Sequence, residues 1–192
     1  RKESFRLQSL ILFVSALLNF QYAVVLPGNH ASFVIPWGGF DFSFSLRVYD
    51  LSAYVLLAAA GFGLLVSIYS AGFMSGRQGV RQFYSYFLLT LSFVNGALLA
   101  DDLVLLLFFW EGLLGLLFGM IYVGHAGAHR TAVKALVING ATDLCMMVGV
   151  GLTIYLAHTS RISQISGLAL SGGVSSAAFL LLAVGAMSKG GA

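Results

Sequence analysis

The chain has 192 residues, of which 59% are hydrophobic, 14% aromatic and only 9% charged. Soluble domains carry about 25% charged residues, so a soluble fold is excluded, and intrinsic disorder is excluded for the same reason. A single cysteine, Cys145, excludes a disulfide framework and any multi-cysteine metal or iron–sulfur site, and the net charge of +3 reads as loop charge on a membrane protein, with no nucleic-acid partner expected.

A helix needs roughly 20 mostly apolar residues to cross the hydrocarbon core. Six stretches qualify, at roughly residues 8–26, 51–74, 83–100, 103–124 and 132–157, with the last starting near Val174. The predicted fold class is therefore all-α: a polytopic transmembrane helix bundle. Residues 1–192 form a single transmembrane domain, expected to be part of a longer chain. No internal repeat or low-complexity tract divides it.

In chain order, the basic start Arg1-Lys2-Glu3-Ser4-Phe5-Arg6 imitates a signal peptide, but the apolar run after it is too long and Asn19-Phe20-Gln21 is no cleavage site. The connection over 27–50 is long. In it Phe40-Asp41-Phe42-Ser43-Phe44-Ser45-Leu46 alternates with the period of a strand, and with Ile35-Pro36-Trp37-Gly38-Gly39 it predicts a short external hairpin. Arg1, Lys2, Arg6, Arg77, Arg81, Arg130 and Lys134 fall on one side of the alternating spans. Asp41, Arg47, Asp50, Asp101, Asp102 and Arg161 fall on the other. The excess of basic residues puts the first side in the cytoplasm.

Three charges lie well inside spans. Glu111 is about eight residues into the fourth span, roughly 12 Å deep at 1.5 Å per residue, and Asp143 is about eleven into the fifth, roughly 16 Å deep. Lys189 is about fifteen residues into the sixth. Each costs about 2.5–3.5 kcal/mol on insertion scales, so such residues face a bundle interior or water and mark ion paths. One reading is a structural ion pair that locks helices. The other is a proton relay. Burial favours a neutral lysine and a nearby carboxylate favours a charged one, so moving the carboxylate or hydrating the site switches the lysine.

Lys134, near the cytoplasmic end of the fifth span, either snorkels to the interface or joins this relay. His125 and His129, spaced i, i+4, are candidates for proton entry from the cytoplasm, with a solvated-loop role as the alternative. No third ligand stands near them, so no metal site is expected. His158, Asp101 and Asp102 are expected at the external edge, solvated or at an exit. Gly112, Gly115 and Gly119, and likewise Gly149 and Gly151, read as close helix packing. Gly185, Gly190 and Gly191 around Lys189 predict a helix broken near the lysine, where exposed backbone can hold water. Asn95 and Asn139 read as interhelical hydrogen bonds. No nucleophile elbow, phosphate loop or His-Glu-x-x-His is present.

Five pieces then occur in order: Asp50-Leu51-Ser52-Ala53, Ile68-Tyr69-Ser70-Ala71-Gly72-Phe73-Met74, Phe108-Phe109-Trp110-Glu111-Gly112, Lys134-Ala135-Leu136 with Asp143 beyond, and Gly185-Ala186-Met187-Ser188-Lys189. This ordered set resembles the antiporter-like, proton-translocating membrane subunits shared by respiratory complex I, energy-converting membrane-bound hydrogenases or formate hydrogenlyase, and multi-subunit sodium/proton antiporters. The resemblance covers about Phe42 to Lys189. It implies a fold of inverted repeats with a half-channel in each. It implies that Glu111 pairs with Lys189, the central lysine on a broken helix, and that Asp143 and Lys134 are polar residues along the neighbouring helix. Gly-Ala-Met-Ser-Lys without a following Ser-Ala-Gln leans toward the hydrogenase branch.

The expected function is ion translocation, protons first, as the non-redox pumping subunit of an oxidoreductase or translocase complex. The expected translocation residues are Glu111, Lys189, Asp143 and Lys134. No cofactor is expected in this chain. Other membrane subunits, peripheral redox subunits and the lipid bilayer are the expected partners, in a prokaryotic inner membrane. A non-pumping structural subunit and a stand-alone sodium/proton antiporter are the alternatives.

Overall fold

The computed structural model describes residues 2–36, 43–124, 127–169 and 171–189. The element order is α1 (Lys2–Val25), β1 (Ser32–Pro36), β2 (Ser43–Arg47), α2 (Asp50–Phe73), α3 (Val80–Leu99), α4 (Leu103–Tyr122), α5 (Ala128–Ala157), α6 (Ile162–Ile165) and α7 (Gly173–Lys189). Each predicted span falls on one helix. The single turn of α6 is an addition that no apolar period announces. By length and composition α1, α2, α4 and α5 can each cross a membrane. The other two predicted spans fall short for different reasons. α3 carries Arg81, Gln82 and Asn95 among its 20 residues, and α7 has 17.

The bundle is built inside out. The buried stripe of α2 is Ser52, Ala53, Leu56, Ala60, Gly63, Ser67 and Ser70, spaced three and four apart and mostly small. Its large side chains Phe62, Leu65, Ile68 and Tyr69 point outward and are exposed. Apolar side chains gain nothing by leaving lipid for a protein core, so small residues take the interface and large ones face outward. Ala23, Leu26, Val48, Ala53, Leu56 and Ala60 form one packed cluster between α1 and α2. Leu12, Met74, Tyr84 and Phe87 form a second, toward the α2–α3 turn. That turn uses Gly76 and Gly79 at φ +76° and +77°, backbone that a Cβ disfavours.

Glycines set the approach of the later helices. Gly112 and Gly119 of α4 receive the rings of Phe93 and Tyr86 from α3. Gly149 of α5 lies against the backbone of Ala178 and Leu182 of α7, and Gly185 of α7 lies against the backbone of Met146. Gly115 and Gly151, expected to pack in the same way, have nothing among the described residues within 4 Å of a Cβ position. They sit on the outer sides of their helices, where nothing described approaches.

The hairpin forms as predicted, antiparallel with Ser32 opposite Arg47 and Pro36 opposite Ser43. Its turn, residues 37–42 including Asp41, lies outside the described residues. β2 is tied to the helix ends beside it: the Asp101 N–H donates to the Ser45 carbonyl at 2.9 Å, and Leu46 bridges to Ala100. Asp102 is 2% exposed and caps α4, accepting from the Val104 and Leu105 N–H groups at 2.8 and 3.2 Å. Its other oxygen accepts from the Ser160 hydroxyl. Asp101 accepts from the N–H and hydroxyl of Ser163 at 2.9 and 2.7 Å. The expectation that Asp102 is solvated is therefore corrected, while Asp101 is half-buried. The orphan N–H groups at a helix start attract a carboxylate, and the Ser160–Ser163 segment closes over the pair. His158 is exposed and ends α5 in the left-handed region, at φ 53°.

Candidate ion-translocation site

The register of the helices can be read from their contacts. α3 and α4 run antiparallel, with Phe93 over Gly112 and Phe109 over Gly96, which sets Asn95 level with Trp110. α4 and α5 run antiparallel, with Leu114 beside Gly140 and Trp110 bonded to Asp143. α5 and α7 run antiparallel, with Gly149 against Leu182, Met146 against Gly185 and Thr142 bonded to Ser188. At a rise of about 1.5 Å per residue, Glu111, Asp143 and the Lys189 backbone lie within a few ångströms of one depth. That depth is the middle of α5.

Two interhelical hydrogen bonds hold this level. The Trp110 indole N–H donates to Asp143 Oδ1 at 3.0 Å. The Thr142 hydroxyl meets the Ser188 hydroxyl at 2.8 Å. Thr142 and Asp143 are consecutive, so they point about 100° apart around α5, and each reaches a different neighbour: Thr142 to α7, Asp143 to α4. Asp143 is 1% exposed. Glu111 is half-buried on α4, next to Trp110. In each helix an ionisable residue thus stands beside a neutral one that bonds across: Trp110 and Glu111, Thr142 and Asp143, Ser188 and Lys189. Asn95 extends the polar level to α1, donating to Asn19 Oδ1 at 2.6 Å. Asn139, expected to bond between helices, instead donates to the Ala135 carbonyl of its own helix at 3.0 Å.

The other expected site residues lie elsewhere. Lys134 is exposed. It precedes Asp143 by nine residues, which puts it about 180° around α5 and roughly 13 Å along it. His129 is exposed within the first turn of α5, and His125 lies outside the described residues. Lys189 ends α7, and its side chain lies outside what is described. The helix is regular up to that point, with Gly185 inside it, so the break predicted at Gly190 and Gly191 falls on residues outside the description. α5 packs between α4 and α7, which makes Asp143 the acid that stands between Glu111 and the lysine-bearing helix. Sequence reading missed Trp110, Thr142 and Ser188 as the bonds that set this register. The available signal was their position next to each intramembrane charge.

Residues 34–84 match the family described as NADH-ubiquinone oxidoreductase (complex I), chain 5 N-terminus. A NADH-quinone oxidoreductase subunit L of Mycobacterium tuberculosis is 36% identical over 161 residues, covering 81% of this chain and 25% of that protein. A NAD(P)H-quinone oxidoreductase chain 5 of Synechocystis is 33% identical over 170 residues, covering 81% of this chain and 24% of that one. The chain spans about a quarter of the length of these curated relatives. The Mrp complex from Dietzia superposes with a TM-score of 0.79 at 20% identity, over 97% of this chain and 24% of its counterpart. The archaeal membrane-bound sulfane sulfur reductase superposes with a TM-score of 0.75 at 20% identity, over 92% of this chain and 38% of its counterpart. At that identity the two structures speak for the fold alone. The fold they share with this chain and the sequence similarity to complex I agree with the ordered motifs: this is an integral membrane chain related to the antiporter-like subunits of complex I.

Proposed function

We propose that this chain forms part of an ion path, protons first, in a redox-driven membrane complex, and that Glu111, Asp143 and Lys189 carry it. The observation that supports this reading is the common depth of the three residues on α4, α5 and α7, held by the Trp110–Asp143 and Thr142–Ser188 bonds. Ionisable groups are costly at that depth and persist where they serve transport. A carboxylate, a second carboxylate and a lysine at one level let a proton move laterally by small changes in spacing, because each charge state depends on its neighbours. Lys134, on the opposite side of α5, fits the snorkelling role better than the relay. Its partners would be other membrane subunits and peripheral redox subunits, in a prokaryotic plasma membrane with Arg77, Arg81 and Arg130 in the cytoplasm. The complex I names of the sequence relatives favour that type of complex. The Gly-Ala-Met-Ser-Lys variant keeps a hydrogenase type as the second reading.

The test is proton uptake per electron in vesicles holding the intact assembled complex. Lys189→Arg keeps a charge that is effectively never released. Lys189→Arg, Lys189→Ala and Glu111→Gln should each lower the ratio clearly below the wild-type value at normal complex abundance. Lys189→Arg pumping at the wild-type ratio would reduce these charges to a structural lock.

A further inference from the structure

The structure assigns a role to Trp110 that the buried charges alone do not predict: we propose that its indole N–H is the positioning donor for the Asp143 carboxyl, fixing that group at the α4–α5 contact. This rests on the ion-path reading above. Indole is a donor only, with one N–H in one direction. It can therefore hold one carboxyl oxygen whether the group is ionised or protonated, without itself taking or giving up the proton. Its bond to Oδ1 at 3.0 Å joins two helices at mid-span, and Asp143 is 1% exposed, so bulk water does not compete for that oxygen. Such a donor keeps the orientation of a carboxyl constant through a protonation cycle. A serine or threonine donor would not, because its hydroxyl rotates. The next residue along α4, Glu111, has its backbone held at the same level by this bond.

Two variants test this in the intact assembled complex driven by its own electron donor. Trp110→Phe keeps an aromatic ring and removes the donor. Asp143→Glu keeps the carboxyl and the tryptophan but lengthens the arm by one methylene. Both should assemble and lower proton uptake per electron at least about threefold, and combining Trp110→Phe with Asp143→Asn should cost no more than Asp143→Asn alone, since residues acting as a unit are not additive. The carboxyl band of Asp143, identified in difference infrared spectra as the one lost in Asp143→Asn, should move in Trp110→Phe. A merely structural ring would leave that band in place. Should Trp110→Phe fail to assemble, Asp143→Glu decides. Wild-type uptake in either assembled variant, an unmoved band, or a double variant that multiplies the single losses overturns the positioning role. If Lys189→Arg pumps normally, the ion-path reading itself has failed. If Lys189→Arg is defective while Trp110→Phe and Asp143→Glu pump normally, only the role of Trp110 has.

Discussion

At the residue scale, the neutral members of the polar level carry measurable energy. The Thr142 and Ser188 hydroxyls meet between α5 and α7; Ser188 donates to the Gly185 carbonyl of its own helix, and the single Thr142 proton is shared between Ser188 and the Asn139 carbonyl. Ser188→Ala removes one partner yet leaves Thr142 its backbone acceptor. The expected cost is therefore about 1 kcal/mol, seen as a modest drop in the unfolding temperature of the subunit in detergent. Lys134 offers the contrasting case. Exposed and turned away from Asp143, it should tolerate Lys134→Gln with proton uptake within about twofold of wild type. A tenfold loss at normal abundance would return it to the relay.

At the element scale, α4 is held at its start and, farther along, by Trp110. Its start is capped by Asp102, which also accepts from Ser160. Asp102→Ala removes a helix cap and leaves the half-buried Ser160 hydroxyl without its carboxylate acceptor, so the expected loss is about 1–2 kcal/mol. Asp102→Asn should recover much of it, because the amide oxygen still accepts. The α5–α7 contact depends on two glycines instead. A Cβ at Gly149 would meet the Leu182 nitrogen at 3.0 Å and the Ala178 oxygen at 3.2 Å. Backbone cannot swing aside as a side chain does, so Gly149→Val should push α7 away at a cost of about 1–3 kcal/mol. The same variant should weaken the Thr142–Ser188 bond, which a cross-link between cysteines at those two positions would report as slower closure.

At the scale of the whole molecule, α1 to α5 and α7 alternate in direction. The α2–α3 turn with Arg77 and the α4–α5 turn before Arg130 therefore share one end, and the hairpin shares the other with Asp102 and Ser160. Arginine-rich connections stay in the cytoplasm. With Cys145 replaced, Ser75→Cys, exposed in the α2–α3 turn, should react with an impermeant reagent only from the cytoplasmic side. Labelling only from outside would invert the orientation.

The amino-acid sequence by itself determined the class of molecule, the positions of the long helices and the hairpin, because apolar run length, charge counts and period-two alternation are local properties that lipid and water read directly. It also picked out Glu111, Asp143 and Lys189, since a charge in an apolar run stands out by its cost. Only the tertiary structure decided which neutral residues mattered. Trp110, Thr142 and Ser188 look like many other residues in helices until the antiparallel register brings them opposite Asp143 and each other. The same holds for the glycines: Gly115 and Gly119 are alike in sequence, yet Tyr86 covers one and nothing described covers the other. Asp102 was likewise taken out of water by a serine 58 positions away along the chain. Packing partners are set by long-range geometry, and no local pattern encodes which face of a helix a distant neighbour will choose.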